Sequence, residues 1–121
     1  MILADTSIWI RHFREGIPDF ERAMQRRQIA MHPVVIGELA TGNLPKRQQT
    51  LAMLRKLRKT KMGSMAECLD FIENHSLYGR GIGWNDIQLL VAAVLSGNRL
   101  WTLDKRLLGA AVELGVDNQP G

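Results

Sequence analysis

Short apolar runs alternate along the chain with segments of helical period. The run Ile2-Leu3-Ala4 leads into an acid and reads as a strand over Ile2–Asp5, followed by a short helix over Ser7–Phe13. Gly16-Ile17-Pro18 breaks that helix, since glycine with proline marks a turn, and Asp19 opens a second helix to about Arg27. Ile29-Ala30-Met31 is a short strand. Pro33 suits the first turn of the next helix, where its missing N–H would have had no partner; that helix runs through Val34–Ala40 and stops near Gly42. Leu51, Leu54 and Leu57 recur at helical spacing with basic residues opposite, predicting an amphipathic helix from Arg47 to about Lys59. Lys61–Ser64 holds at best a poor strand, and Ala66–His75 is a helix with Leu69 and Ile72 at i, i+3. A glycine-rich loop, Tyr78-Gly79-Arg80-Gly81-Ile82-Gly83, precedes a nearly all-apolar helix from about Asn85 to Ser96, a pattern that implies burial all round. Arg99–Leu103 is a strand and Leu107–Leu114 a last helix, ended by Gly115.

Strands alternating with helices predict an α/β fold with a central parallel sheet covered on both faces. No repeat, linker or low-complexity stretch interrupts the 121 residues, so one domain over 1–121 is expected, long enough to bury a core. The lone Cys68 allows no internal disulfide and no cysteine metal cluster. The N-terminus lacks a signal peptide's cationic start and longer apolar core, and the strongest apolar stretch, Ile87–Leu95, is far short of a membrane span. A soluble, cytoplasmic protein is expected, with no membrane partner.

Charge adds a partner class. Lys and Arg number 16 against 12 Asp and Glu, and the pI is about 9.7. No acid falls between Leu39 and Ala66, whereas Lys46, Arg47, Arg55, Lys56, Arg58, Lys59 and Lys61 crowd there. Such a stripe suits a polyanion, most often nucleic acid, with Arg55, Lys56, Arg58 and Lys59 as the candidate RNA-binding residues. A solvated helix face or an acidic protein partner would use the same charges.

Four acids stand apart from the rest. Asp5 ends the first strand and Asp104 follows the last, and in open α/β sheets ligands bind outside the carboxyl ends of the strands. Asp86 opens the apolar helix, and Glu38 interrupts Val34-Val35-Ile36-Gly37, where an acid is costly unless it faces solvent or a cation. Singly, the three aspartates also suit helix N-caps and Glu38 an exposed helical position. Together they suggest a site. Clustered carboxylates repel until a cation neutralises them. Mg²⁺ prefers oxygen ligands, usually one or two carboxylates plus substrate phosphates, and near a phosphodiester it activates water and stabilises the leaving oxygen.

The segments MILADTSIWI, VVIGELATG, NDIQLLVAA and LWTLDKRL, in that order, resemble the PIN-domain ribonucleases, most closely the VapC-type toxins of bacterial toxin–antitoxin pairs. The likeness spans nearly the whole chain. It implies a three-layer α/β/α domain and an endoribonuclease dependent on Mg²⁺ or Mn²⁺, usually a homodimer and inhibited by a cognate antitoxin protein. By motif, Asp5, Glu38, Asp86 and Asp104 match the family's four catalytic and metal-binding acids, and Ser7 and Thr102 match supporting hydroxyls. One departure bears on the rim's acidity and on a second metal. The family often carries a further acid, then Phe, where this chain has Arg106 and Leu107.

His12, His32 and His75 lack metal-ligand spacing and read as structural or surface residues. Trp9 and Trp101 are expected in the core, and Trp84 also, although base stacking would suit it. Arg80 reads as a loop arginine within reach of a phosphate, and Cys68 as a buried helix residue. Two other functions compete with the nuclease. One is a nucleic-acid or antitoxin binding module whose acid site is vestigial. The other is a phosphohydrolase using Asp5 as a nucleophile, which leaves the basic stripe unused.

Overall fold

A computed structural model describes residues 1–118. Four strands, β1 (Ile2–Ala4), β2 (Ile29–Met31), β3 (Arg58–Lys59) and β4 (Arg99–Trp101), form one all-parallel sheet in the order β3-β2-β1-β4. Seven helices connect and flank them: α1 (Thr6–Glu15), α2 (Pro18–Gln25), α3 (Pro33–Ala40), α4 (Arg47–Lys56), α5 (Met65–Asn74), α6 (Trp84–Ser96) and α7 (Lys105–Glu113). The result is the α/β/α sandwich expected from the sequence.

Consecutive strand residues point to opposite faces. Leu3 and Ala4 are both buried, as are Ile29, Ala30 and Met31, so helices must cover the sheet on both sides. Trp9 on α1 meets Phe20 on α2 edge-on at 4.7 Å, and Phe20 meets Trp101 on β4 at 5.8 Å, which ties both helices to the sheet. Such pairs add about 0.5–1.5 kcal/mol beyond area burial.

Four expectations need correction. The amphipathic helix ends at Lys56, not Lys59: Leu57 is extended and Arg58–Lys59 is the edge strand, paired to Ala30 and Met31. No strand forms over Lys61–Ser64; Gly63 instead crosses α6 so closely that a Cβ there would stand 2.5 Å from Val91 Cγ1. Helix α6 is not buried all round, since Val94 and Leu95 near its end are about 40% exposed. Trp84, in its first turn, is exposed to the same degree rather than core. Ser64 and Glu67 form a reciprocal capping box that starts α5, a signature legible in their spacing.

Sheet order reverses at β1, whose next strand in sequence, β2, lies on one side and whose other neighbour is β4. A crevice at the carboxyl ends of β1 and β4 follows from that topology.

Candidate active site

Ala4 pairs with Trp101 across β1 and β4, so the next residues, Asp5 and Thr102, emerge side by side. Thr102 Oγ1 donates to Asp5 Oδ2, and Ser7 Oγ donates to Asp5 Oδ1, which also accepts from the Ile8 N–H at 3.2 Å. The same hydroxyls tie down the strand–helix loop after β4: Ser7 Oγ accepts from the Leu103 N–H at 3.1 Å and Thr102 Oγ1 from the Asp104 N–H at 3.0 Å. Asp5 is thus buried, capped on both oxygens and fixed in place. Burial raises its pKa above the usual carboxylate value, and the hydrogen bonds from Ser7, Thr102 and Ile8 only partly offset that.

Asp104 Oδ1 accepts from the Arg106 and Leu107 N–H groups at 2.9 and 3.0 Å. Asp5 and Asp104 are therefore helix N-caps for α1 and α7 as well as strand-end acids. In Asp5 the capping Oδ1 also accepts from Ser7 while Oδ2 accepts from Thr102; in Asp104 Oδ1 alone accepts both cap bonds. Glu38 lies exposed on α3, where its Oε1 accepts from Thr6 Oγ1 at 2.9 Å. Sequence reasoning passed over Thr6, although its place between Asp5 and Ser7 signalled it. Asp86 sits in the first turn of α6, with Gly83 as the N-cap, and its carboxyl is pushed up to about 6. Burial is the largest cause, followed by the negative charges of Asp5, Asp104 and Glu38. The charges of three acids from other parts of the chain thus converge on Asp86.

Among the described residues, no three acid, imidazole or thiol groups close around a cation by themselves. The donor set nevertheless fits Mg²⁺ or Mn²⁺: all four are hard oxygen donors, and Mg²⁺ takes only one or two carboxylates while keeping several waters. Its one or two carboxylate ligands would come from among Asp5, Glu38, Asp86 and Asp104.

Arg106 stands where the resembled family often carries an acid. Its side chain lies over Gly81: a Cβ there would come 2.5 Å from Nη1, and Gly81 has φ +75°. Arg80 forks onto Glu113, two bonds of 2.8 Å. Arg80 by its ion pair and Arg106 by close packing thus join α7 to the glycine-rich loop that leads to Asp86. No histidine joins the acids. His12 Nδ1 accepts from the Ile17 N–H at 3.1 Å, His32 Nδ1 caps α3 by accepting from the Val34 N–H at 3.0 Å, and His75 packs against Phe71 with the rings tilted by 50°.

The basic residues lie elsewhere. Lys56 and Arg58, with Arg27, rim a cavity of about 820 Å³ floored by Met1, Ile29 and Met53, at the amino end of the strands. Lys59 Nζ donates to the carbonyls of Arg55 and Leu57 at 2.7 and 2.9 Å, closing the end of α4. From Met1 to Asp5 along β1 is about 13 Å, so these cations and the acids occupy opposite ends of the sheet.

No family model matches the chain. Ribonuclease VapC32 of Mycobacterium tuberculosis, from strains CDC 1551 / Oshkosh and H37Rv, is 39% identical over 117 residues, 96% of this chain and 94% of that protein. Among solved structures, PAE2754 from Pyrobaculum aerophilum shares the fold, with a TM-score of 0.59 at 18% identity over 94% of this chain and 88% of that one.

Proposed function

The chain belongs to the VapC family of ribonucleases, and from that premise we propose that it is a divalent-cation-dependent endoribonuclease, the toxin of a toxin–antitoxin pair. The observation that carries this reading is that the negative charges of Asp5, Asp104 and Glu38 all reach Asp86, whose carboxyl is raised to about 6 by burial first and by those three charges after it. A site built against its own charge is relieved by a cation.

Bound by these acids, Mg²⁺ or Mn²⁺ supplies Lewis acidity toward a phosphodiester and its attacking water. The chain's own part is positioning. Ser7 and Thr102 donate to Asp5 and hold its carboxylate in one orientation, Thr6 tethers Glu38, and the Arg106 and Leu107 N–H groups anchor Asp104. Arg55, Lys56 and Arg58 attract and hold remote phosphates of a folded RNA rather than the scissile one. The cation-rimmed cavity at the amino end offers an acidic antitoxin segment a complementary surface. Homodimer formation finds support in Met62, Met65 and Leu69, each at least half exposed. No described helix is long and apolar enough to cross a membrane.

The test incubates protein freed of co-purified antitoxin with total bacterial RNA and Mg²⁺, Mn²⁺ or EDTA, beside Asp5→Asn. Discrete fragments that require the metal and vanish in the variant are expected. RNA or antitoxin binding without cleavage under either metal would favour a vestigial binding module instead.

A further inference from the structure

Next to the acids, a groove opens between α1 and the loop from α3 to α4. Ile10, Phe13 and Leu44 form its apolar sides, and Arg14, Glu38 and Asn43 its polar ones. Its volume is about 270 Å³. That lies just under the roughly 300–1,000 Å³ of pockets that enclose drug-sized ligands, so it has room for one planar ring system rather than a helix face. Glu38 belongs to both the groove and the acid cluster, so whatever fills the groove lies beside the reacting phosphate.

Both walls are built before any ligand arrives. Phe13 is braced against Trp9 at 5.8 Å. Opposite, the Arg47 guanidinium donates to the carbonyls of Ala40 and Gly42 at 2.5 and 3.1 Å, and Thr41 Oγ1 donates to the Glu38 carbonyl at 2.9 Å. Arg14 enters no ion pair and the Asn43 amide no side-chain hydrogen bond among the described residues. A free cation and a free amide therefore flank an aromatic wall.

We infer that this groove receives the nucleobase adjoining the scissile phosphodiester, and that Asn43 and Arg14 set sequence preference and substrate grip. Phe13, Ile10 and Leu44 cover the base, Asn43 offers its donor and acceptor to the base edge, and Arg14 pairs with the neighbouring phosphate. The inference rests on the nuclease activity proposed above. A protein segment is the less favoured occupant, because the groove is small and ends on charged groups at the reacting centre.

The experiment maps the wild-type cut in total RNA, then measures kcat and KM on oligonucleotides carrying each of the four bases on either side of it. Wild type, Asn43→Ala and Arg14→Ala are compared after circular dichroism confirms their fold; both side chains are exposed. Asn43→Ala should lower kcat/KM about tenfold on the preferred base and little on the others, flattening the preference. Arg14→Ala should raise KM several-fold with kcat nearly constant for every base. Wild-type preference and KM in both variants, with cleavage intact, would overturn the inference. So would weakened binding of a co-expressed partner protein with unaltered RNA kinetics, which would assign the groove to docking. Failure of the wild type to cut any RNA with Mg²⁺ or Mn²⁺ would remove the nuclease reading itself, a result separable from the other two.

Discussion

Removing the charge of Asp86 should stabilise the cation-free protein, although it removes an acid from the first turn of a helix. Its carboxyl is pushed from 3.8 up to about 6 by burial and by Asp5, Asp104 and Glu38. At 1.36 kcal/mol per pH unit, that rise corresponds to about 3 kcal/mol against the ionised form. Asp86 is half-buried, so solvent screening reduces this to about 1.5 kcal/mol. The favourable interaction of an anion with the start of α6 returns roughly 0.3–1 kcal/mol. Asp86→Asn should therefore gain about 1 kcal/mol at pH 7.5 in EDTA, or about 4 °C in Tm for a chain of this size. The sign with pH follows from linkage. The native carboxyl holds its proton more tightly than the unfolded one, so stability falls as pH rises from about 3.8 through 6. The advantage of the variant should be absent below pH 4 and complete above about pH 6.5. His32 works oppositely: burial lowers its pKa below 6.5, so it costs stability as pH falls beneath that value. It is present in both proteins and cancels in the difference. Thermal melts at pH 4 and 7.5 read the effect directly, and Mn²⁺ should reverse the ranking at pH 7.5. An Asn variant no more stable than wild type at pH 7.5 in EDTA would refute the reasoning.

Thr102→Val deletes the hydroxyl that donates to Asp5 and accepts from the Asp104 N–H, and should cost about 1.5–3 kcal/mol in denaturant melts while weakening cleavage. Gly63→Ala forces a Cβ against Val91 and should cost about 1–3 kcal/mol, with Val91→Ala restoring part of it in a double-mutant cycle. Gly81→Ala meets both a positive φ and the Arg106 guanidinium, so Arg106→Ala should relieve only the second; kcat, read beside Tm, should fall as the approach to Asp86 shifts.

The acids were legible because strand ends are. An apolar run that stops on Asp marks both a strand terminus and a helix start, and Asp5 and Asp104 serve as both. What brings them together, the β1–β4 pairing and the hydroxyl bridges of Ser7 and Thr102, is tertiary, and only the resemblance pointed to those hydroxyls. The end of α4 was not legible. Leu57, Arg58 and Lys59 continue a helical pattern, and only the unsatisfied edge of β2 at Ala30 and Met31 draws them into a strand. Trp84 misled because its neighbours in α6 are core, whereas the helix start that carries it faces the crevice and solvent. The groove was invisible for a simpler reason: Phe13 and Asn43 are distant in sequence and meet only when α1 packs on α3.

What should make this chain a nuclease is a divalent cation held at the acid cluster. Mn²⁺ affinity, measured by electron paramagnetic resonance on wild type and on Asp5→Asn, Glu38→Gln, Asp86→Asn and Asp104→Asn, tests it beside RNA cleavage by the same samples. Affinity and cleavage should fall together, the former by tenfold or more for Asp5→Asn. Undiminished Mn²⁺ binding in all four variants, whatever their activity, would contradict the account.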